Sequence, residues 1–403
     1  MTSSQGSPAT DHATPPVATD SFAARLGLFY AGLFVVAGLQ IPYFPVWLQA
    51  KGLDARTIGI VLAVPAVARV VAVPLITRIA DRRAALRAAL VVVSLAAAIG
   101  SLAMGRAQGF AAIFATVTLV SVVITPAGPL ADAYALKGLG LRNQNYGPVR
   151  LWGSAAYIAA NIGGGLLLSV IAPVDIVWLI VGAVVAMSAA SLALAPVGVE
   201  PARAHRAASP GGRPYRLTGI LSIAIAASLI QGSHAVYYGF STLDWSAKGL
   251  GGALIGSLWA LGVVAEIVLF ALSPRLPARI CPTTLLAMGA GGAILRWAGM
   301  AFGPPVALLA VLQCLHGLSF AATHLGSVQL VARAVPDHYS ATAQGDFATI
   351  LGLVMTLALS GSGLLYQAHG DRAYLVMAVS AAVGGAVVLM RLRPRFKTPP
   401  TSV

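Results

Sequence analysis

Charged side chains are scarce in this chain of 403 residues, and acidic ones are the scarcest. Only 9% of the residues are charged, and 12 Asp and Glu stand against 26 Lys and Arg. The two cysteines, Cys281 and Cys314, are too few for a disulfide framework, and they lack metal-site spacing. The phosphate-binding sequences GxxxxGKS and GxxxxGKT are also missing, which excludes an ATPase of the P-loop type.

Apolar residues are abundant instead, at 58% of the chain, and the mean hydropathy is +0.84. A soluble protein cannot bury so much apolar surface, so the composition predicts a membrane protein. Twelve helices of about 20 residues with short loops fill the length. The predicted fold class is therefore an all-α membrane protein with twelve transmembrane helices in two six-helix bundles. We find no nucleophile–base or metal cluster, and expect neither an enzyme nor a cofactor or metal site.

The surplus of basic residues is unevenly placed. With residue 1 on the cytoplasmic side, eighteen Lys and Arg fall in cytoplasmic segments, five in outer loops and three inside helices. This bias is the positive-inside pattern, so both termini are predicted to be cytoplasmic. The charge thus orients the protein in the lipid bilayer. We expect a monomer in a bacterial inner membrane. It does not indicate a nucleic-acid partner.

Composition divides the chain into five segments. They are a disordered cytoplasmic tail over 1–21, an N-terminal six-helix bundle over 22–196, a cytoplasmic linker over 197–216, a C-terminal six-helix bundle over 217–393 and a cytoplasmic tail over 394–403. The first tail is rich in Ser, Thr, Pro and Ala, as disordered segments are, and the linker is the longest polar stretch inside the chain.

A weak internal repeat relates the two halves. The sequence AKGL at Ala50–Leu53 recurs at Ala247–Leu250, and the same offset aligns Arg69 with Glu266. Opposite charges thus occupy equivalent depths in two apolar helices. Internal repeats and charges near the membrane midplane are typical of secondary transporters.

Charged residues inside the membrane cost roughly 2.5–3.5 kcal/mol each on insertion scales, so they are expected to be paired, hydrated or functional. Three arginines (Arg69, Arg150 and Arg296) stand against two acids (Asp132 and Glu266). An anionic substrate would supply the missing negative charge. Structural explanations are also open: Asp132 pairing with Arg150, Glu266 pairing with Arg296, and Arg69 held by backbone carbonyls. Asp346 is a further candidate for the missing charge.

Polar residues share a face on each of two predicted helices. The seventh helix carries Gln231, His234 and Tyr238 on one face. Arg150, Ser154, Tyr157 and Asn161 recur at steps of three and four residues, which places them on one side of the fifth helix. Because an arginine suits bidentate carboxylate recognition and an amphipathic ring suits a flat ligand, we predict a substrate-binding set. This set is Arg69, Arg150, Tyr157, Gln40, Gln231 and Tyr238.

Titratable residues cluster on three consecutive helices of the second half. Glu266 is the candidate proton carrier, because a desolvated acid near a cation can gain and lose a proton, and histidines titrate near neutrality. Arg296, His316 and His324 are predicted to set the pKa of Glu266. For either histidine alone, a neutral hydrogen-bonded role is the simpler interpretation.

Several motifs resemble the major facilitator superfamily, in the branch of the lactose permease and the 3-phenylpropionate transporters. YFPVWL at Tyr43–Leu48 and the pair Asp81-Arg82 after the second helix resemble the start of the lactose permease family. YGPVRLWGS, QGSHAVYYGFS, LWALGVVAEIVLFALS and LHGLSFAATH are similar to the phenylpropionate branch. Six residues fall where the permease family has its helix-4 acid, its helix-5 arginine and aromatic, its helix-8 acid, its helix-9 arginine and its helix-10 histidine: Asp132, Arg150, Tyr157, Glu266, Arg296 and His316.

The resemblance implies import of a small aromatic carboxylate coupled to protons, with Asp132, Asp81 and Arg82 in structural or gating charge pairs. Two departures weaken a sugar-transport mechanism: Ser319 stands at the coupling glutamate of the permease, and Gln231 and Gln313 replace a charged pair. A sugar or nucleoside proton symporter of the same branch remains an alternative, and a drug-efflux antiporter is disfavoured by three buried arginines. A membrane sensor would need a signalling domain for which the tails and the linker are too short.

Overall fold

A computed structural model describes residues 21–197, 217–277, 280–336 and 339–392. The predicted linker and the two predicted tails lie outside these ranges, apart from Ser21 and Val197. Within them the chain is helical and no strand occurs. The helices are α1 (Phe22–Ala50), α2 (Ala55–Arg82), α3 (Leu86–Arg106), α4 (Gly109–Ile124), α5 (Ala127–Gly140), α6 (Tyr146–Leu168), α7 (Ile176–Leu192), α8 (Leu217–Gly232), α9 (Ala235–Ala247), α10 (Gly252–Leu272), α11 (Pro282–Met300), α12 (Val306–Cys314), α13 (Thr323–Arg333), α14 (Ser340–His369) and α15 (Ala373–Val387).

Ten helical stretches in the described part are long and apolar enough to cross a membrane. One of them, Thr342–Leu392, covers nearly all of α14 and all of α15, which meet at a 3₁₀ turn over Gly370–Arg372. Helix α11 is not among the ten, since Arg296 and several small residues lower its hydropathy. The prediction of a multi-pass, all-helical membrane protein is confirmed, and the number of twelve crossings stays a prediction.

Three of the predicted helices are interrupted, and the sequence TPAGPLAD indicated the interruption of the fourth. The fourth breaks before Pro126, which has no backbone N–H to donate, and it continues as α5. The seventh breaks between α8 and α9 at Ser233 and His234. The tenth contains a π-helical turn over Gly317–Ala322 between α12 and α13. Breaks of this kind occur where helices line cavities or carry functional groups, so they direct attention to the residues beside them.

The repeat in the sequence is also a repeat in the backbone. Gly52 and Gly249 both adopt φ of 83°, a left-handed conformation that favours glycine, at the ends of α1 and α9. Each turn closes by the same backbone hydrogen bonds, from Leu53 to Leu48 and from Leu250 to Trp245. The two halves therefore begin with equivalent helix–turn–helix units. We call the end of the helices that carries these turns the outer end, following the charge bias.

The two halves pack tightly against each other at the outer end. Helix α2 packs against α14 and helix α6 against α10. At the second contact the backbones touch, because a Cβ atom built on Gly165 would collide with the carbonyl oxygen of Gly252, and the reverse also holds. The Tyr43 hydroxyl group lies beside this contact, next to Gly165 and Gly256, and donates a hydrogen bond within the N-terminal half to the backbone oxygen of Asn161. The outer end is thus closed by backbone contacts between the halves.

A side chain at this contact is expected to open the outer end. In Gly252→Val the new side chain meets the Gly165 carbonyl group, which costs the closed arrangement about 1–3 kcal/mol and shifts the population toward an outer-open one. Spin labels at Arg106 and Phe302, in a cysteine-free background, are expected to report a new population at longer distance. Gly251→Val is the matched control, because a Cβ at Gly251 meets no atom within 4 Å. Equal distance distributions in the two variants would contradict the interpretation.

Candidate functional site

Arg296 of α11 is fully buried, at 0% exposure, and two side chains of the following helical segments accept hydrogen bonds from it. Its Nη1 lies 2.8 Å from Nδ1 of His316, and its Nη2 donates to Oε1 of Gln313 at 2.6 Å. The guanidinium carbon lies 4.3 Å from the ring centre of Tyr237 and 4.6 Å from that of Trp297. Hydrogen bonds and two aromatic faces thus stabilise a cation that has no carboxylate in direct contact among the described residues.

The contact with Arg296 assigns the protonation of His316. An arginine has only donors, so Nδ1 of His316 must accept, and a neutral imidazole then carries its hydrogen on Nε2. That nitrogen faces Oε2 of Glu266 at 3.8 Å. The predicted Glu266–Arg296 pair is therefore indirect, because His316 lies between the acid and the guanidinium group.

His234 at the α8–α9 break has the opposite arrangement. Its Nδ1 lies 3.0 Å from the backbone oxygen of Gln231, which accepts, so this nitrogen carries the hydrogen. Its Nε2 lies 3.1 Å from the hydroxyl oxygen of Ser319, which then donates. The ring also packs edge-on against His316 at 5.4 Å. The sequence placed His234 on a polar face but did not include it among the site residues.

Glu266 of α10 faces both halves. Arg150 is the cation of the N-terminal half whose charge acts on Glu266, across the α6–α10 contact. Tyr157 has Glu266 and Tyr237 among its titratable neighbours, and Tyr238 has Tyr157 and Glu266 among its own. Five predicted site residues thus lie near one another where the two halves meet: Arg150, Tyr157, Tyr238, Glu266 and His316.

Asp132 does not form the ion pair with Arg150 that the sequence left open. Its Oδ1 accepts hydrogen bonds from the hydroxyl groups of Tyr30 at 2.6 Å and Tyr146 at 2.8 Å. The guanidinium carbon of Arg150 lies 4.0 Å from the ring centre of Phe34 and 5.7 Å from that of Tyr30. In the described part of the chain, Arg150 therefore has aromatic faces and no carboxylate within ion-pair distance.

The other predicted residues lie apart from this group or make different contacts. Arg69 on α2 is desolvated, and no charged neighbour acts on it in the described part of the chain. His324 stacks on Phe320 at 6.3 Å between ring centres. No contact of His324 with Glu266 or Arg296 is found among the described residues, and its predicted role beside them stays a prediction. Asp81 and Arg82 are exposed at the inner end of α2, and no ion pair between them lies within the described ranges. Gln40 is partly buried on α1, and Gln231 is buried at the end of α8.

Aromatic residues that the sequence did not single out pack in the same region. Tyr237 lies 4.3 Å from Trp259 between ring centres, and Trp297 donates from its Nε1 to the Ser233 hydroxyl at 2.8 Å. A signal for Tyr237 existed: it follows His234 by three residues, so it shares a helical face with it. In the described part of the chain, no group of three His, Cys, Asp or Glu residues is arranged to hold a metal ion.

Opposite tautomers are expected at the two buried histidines. Nitrogen-15 NMR of histidine-labelled protein in bilayers should show a hydrogen on Nε2 of His316 and on Nδ1 of His234. His316→Gln and His234→Gln assign the two pairs of resonances, and each serves as the control for the other. The same tautomer at both positions would contradict the hydrogen-bond network.

Comparison with known proteins agrees with this architecture. The sequence model described as the MFS_1 like family matches residues 23–376. The chain is 30% identical over 383 residues to the probable 3-phenylpropionic acid transporter of Escherichia coli (strain K12), covering 92% of this chain and 97% of the relative. It is 26% identical over 383 residues to the maltose permease of Geobacillus stearothermophilus, covering 92% and 94%.

The fold is also found among solved structures. The crystal structure of the nucleoside transporter NupG superimposes with a TM-score of 0.79 at 16% identity, covering 94% of this chain and 100% of that one. This likeness concerns the fold alone. The family match extends over most of the length and agrees with the charged residues found where the two helical halves meet. The chain therefore belongs to the MFS_1-like family, and it is a membrane transporter of the major facilitator type.

Proposed function

We propose that the protein imports a small aromatic carboxylate together with a proton, by alternating access across a bacterial inner membrane. The observation that carries this proposal is the environment of Arg150. It faces Glu266 across the two halves, yet no described carboxylate lies within ion-pair distance of it. A guanidinium group in this position is available to a substrate carboxylate, which it binds with two parallel hydrogen bonds.

The rings around Arg150 and Glu266 support an aromatic ligand. Tyr157, Tyr237 and Tyr238 are neighbours, and Tyr238 stacks on Trp259 at 6.3 Å between ring centres. Flat apolar faces with a few polar atoms are typical of sites for small aromatic molecules. The name of the 30% identical relative, a probable 3-phenylpropionic acid transporter, agrees with this class of substrate.

Competition for Arg150 supplies a physical reason for coupling. The charge of Arg150 is balanced either by ionised Glu266 or by the substrate carboxylate, so binding of the anion favours protonated Glu266. By linkage, protonation of Glu266 strengthens anion binding to the same extent, typically by about 1–3 kcal/mol. Substrate and proton then bind together, and the loaded site is closer to neutral. A neutral site is cheaper to enclose in the membrane during the rocking of the halves.

Removal of the arginine charge tests the carboxylate assignment. In Arg150→Gln, the Kd of 3-phenylpropionate is expected to rise about 30-fold or more, while that of 3-phenylpropionamide changes less than about threefold. Arg69→Gln is likewise expected to raise the Kd of the acid more than that of the amide, because Arg69 is a desolvated cation without a charged neighbour in the described part of the chain. Calorimetric titration of the purified protein measures both ligands.

Arg106→Gln is the control, since this arginine lies at the outer end of α3 over the ring of Trp178. An equal loss of affinity for the acid and for the amide in Arg150→Gln would contradict the assignment of Arg150 to the substrate carboxylate. Stronger binding of maltose or a nucleoside than of either phenyl compound would favour the sugar or nucleoside alternative, to which the maltose permease relative points.

Glu266→Gln fixes the acid in a form that resembles its protonated state. Exchange of internal for external substrate needs no net proton movement, so it is expected to continue, whereas accumulation driven by a proton gradient should stop. Proteoliposomes with radiolabelled 3-phenylpropionate and a pH-sensitive dye measure both processes. Asp175→Asn, which changes an exposed carboxylate, serves as the control. A Glu266→Gln protein that still concentrates the substrate with proton uptake would assign coupling to another group.

A further inference from the structure

Asp244 is a buried acid that the proposed transport cycle leaves without a role. It lies in the last turn of α9, is only 7% exposed, and its Oδ2 accepts from Nζ of Lys248 at 2.8 Å. Lys248 also pairs with Asp371, in the turn between α14 and α15. The three charges sum to minus one. They form what we call the outer cluster: Asp244, Lys248 and Asp371.

The repeat shows that the turn itself does not need this acid. The residue equivalent to Asp244 in the first half is Trp47, and the lysine equivalent to Lys248 is Lys51. There the lysine Nζ lies 5.8 Å from the centre of the tryptophan ring. The backbone bonds of the two turns are the same. Because an aromatic ring serves equally well in the first half, the buried carboxylate of the second half calls for another explanation.

A cavity of about 240 Å³ opens beside Asp244 at the outer end. Exposed residues of the α11–α12 loop, Gly303 and Pro305, form its rim, and the buried residues Asp244 and Tyr374 line its interior. The hydroxyl group of Tyr374 is buried and has no hydrogen-bond partner among the described residues. A buried polar atom beside a cavity of this size is usually satisfied by ordered water.

A line of polar and aromatic groups continues from Tyr374 to the transport site. The titratable neighbours of Tyr374 are Asp244, Tyr366, Tyr237 and Arg296. Its ring stacks on Trp297 at 5.8 Å, and Trp297 lies against Arg296. Nε of Arg296 is the second buried polar atom on this line without a partner among the described residues.

We propose that Asp244 and Tyr374 form an outer port through which protons from the outer side reach Glu266. This proposal rests on the proposed proton coupling and adds the route. A proton from bulk water binds the Asp244 carboxylate, whose other charged and titratable neighbours are Lys248, Asp371, Tyr366 and Tyr374.

Each carrier on the route accepts one proton and releases one, so no carrier changes its net protonation. The proton of Asp244 passes to water held by the Tyr374 hydroxyl group and on to the neighbourhood of Arg296. Arg296 keeps its proton, because a guanidinium group does not titrate in proteins, and its role is to position His316 through their hydrogen bond. His316 keeps its hydrogen on Nε2, because the lone pair of its Nδ1 accepts the hydrogen bond from Arg296. The proton passes from water to the Glu266 carboxylate, which becomes a neutral carboxylic acid.

The test follows protonation of Glu266 without a transported substrate. Right-side-out proteoliposomes receive an acid jump from outside or from inside, and time-resolved infrared spectroscopy follows the carboxylic-acid band that Glu266→Gln abolishes. In Asp244→Asn and in Tyr374→Phe, both of which keep the side-chain shape, the outside rate is expected to fall about tenfold or more. The inside rate is expected to stay at the wild-type value.

Asp371→Asn is the matched control, because it removes the other partner of Lys248 and leaves Asp244 in place. Wild-type outside rates in Asp244→Asn and Tyr374→Phe would overturn the port. An equal fall of the outside rate in Asp371→Asn would also overturn the port, because the outer cluster would then only hold the loops together. An equal fall of the outside and inside rates in Asp244→Asn or Tyr374→Phe would overturn it as well. Absence of a titrating Glu266 band in the wild-type protein would instead overturn the coupling role of Glu266, and the port with it.

Discussion

The enclosed charge of Arg296 is the constraint on which the rest of the site depends. A guanidinium group at 0% exposure loses its hydration, and no described carboxylate touches it to compensate. The chain meets this demand with the acceptors of His316 and Gln313 and with the faces of Tyr237 and Trp297. Each of these partners is thereby fixed in orientation. The orientation of His316 in turn presents an N–H group to Glu266.

The charged residues of the two halves are held by different kinds of contact. In the second half the charges are held by a dense network of histidines, tyrosines and tryptophans around Arg296. In the first half, Arg150 rests on the faces of Phe34 and Tyr30, and Asp132 is occupied by two tyrosine hydroxyls. A cation held by ring faces is easier to redirect than one in a buried ion pair, because a cation–π contact is worth about 0.5–2 kcal/mol whereas breaking a buried ion pair costs about 3–5 kcal/mol. We infer that the first half supplies the adjustable partner and the second half the rigid one.

Much of this arrangement follows from the sequence, and the reasons for the rest are physical. Hydropathy and charge placement predicted a helical membrane protein, and the scarcity of acids made Glu266 and Arg150 conspicuous. The partners of Asp132 were not predictable, since Tyr30 lies 102 residues away and only packing brings the two together. The break before Pro126 was visible as a residue type, but the sequence did not decide between a kink and an end. His324 shared a helix with His316, and the π turn between them changes the face it presents.

The closed outer end is made of main-chain atoms, and this has a consequence for the energetics of the transport cycle. Where Gly165 meets Gly252, the nearby side chains are the hydroxyl-bearing Tyr43 and Ser169, so nothing at that contact carries a formal charge. Attraction between exposed charges weakens as ionic strength rises, but close packing of uncharged backbone does not. The strength of this closure is therefore expected to be the same in dilute and in concentrated salt. Ionic strength then affects the transport cycle through the charged groups of the interior, while the strength of the contact between the halves does not change.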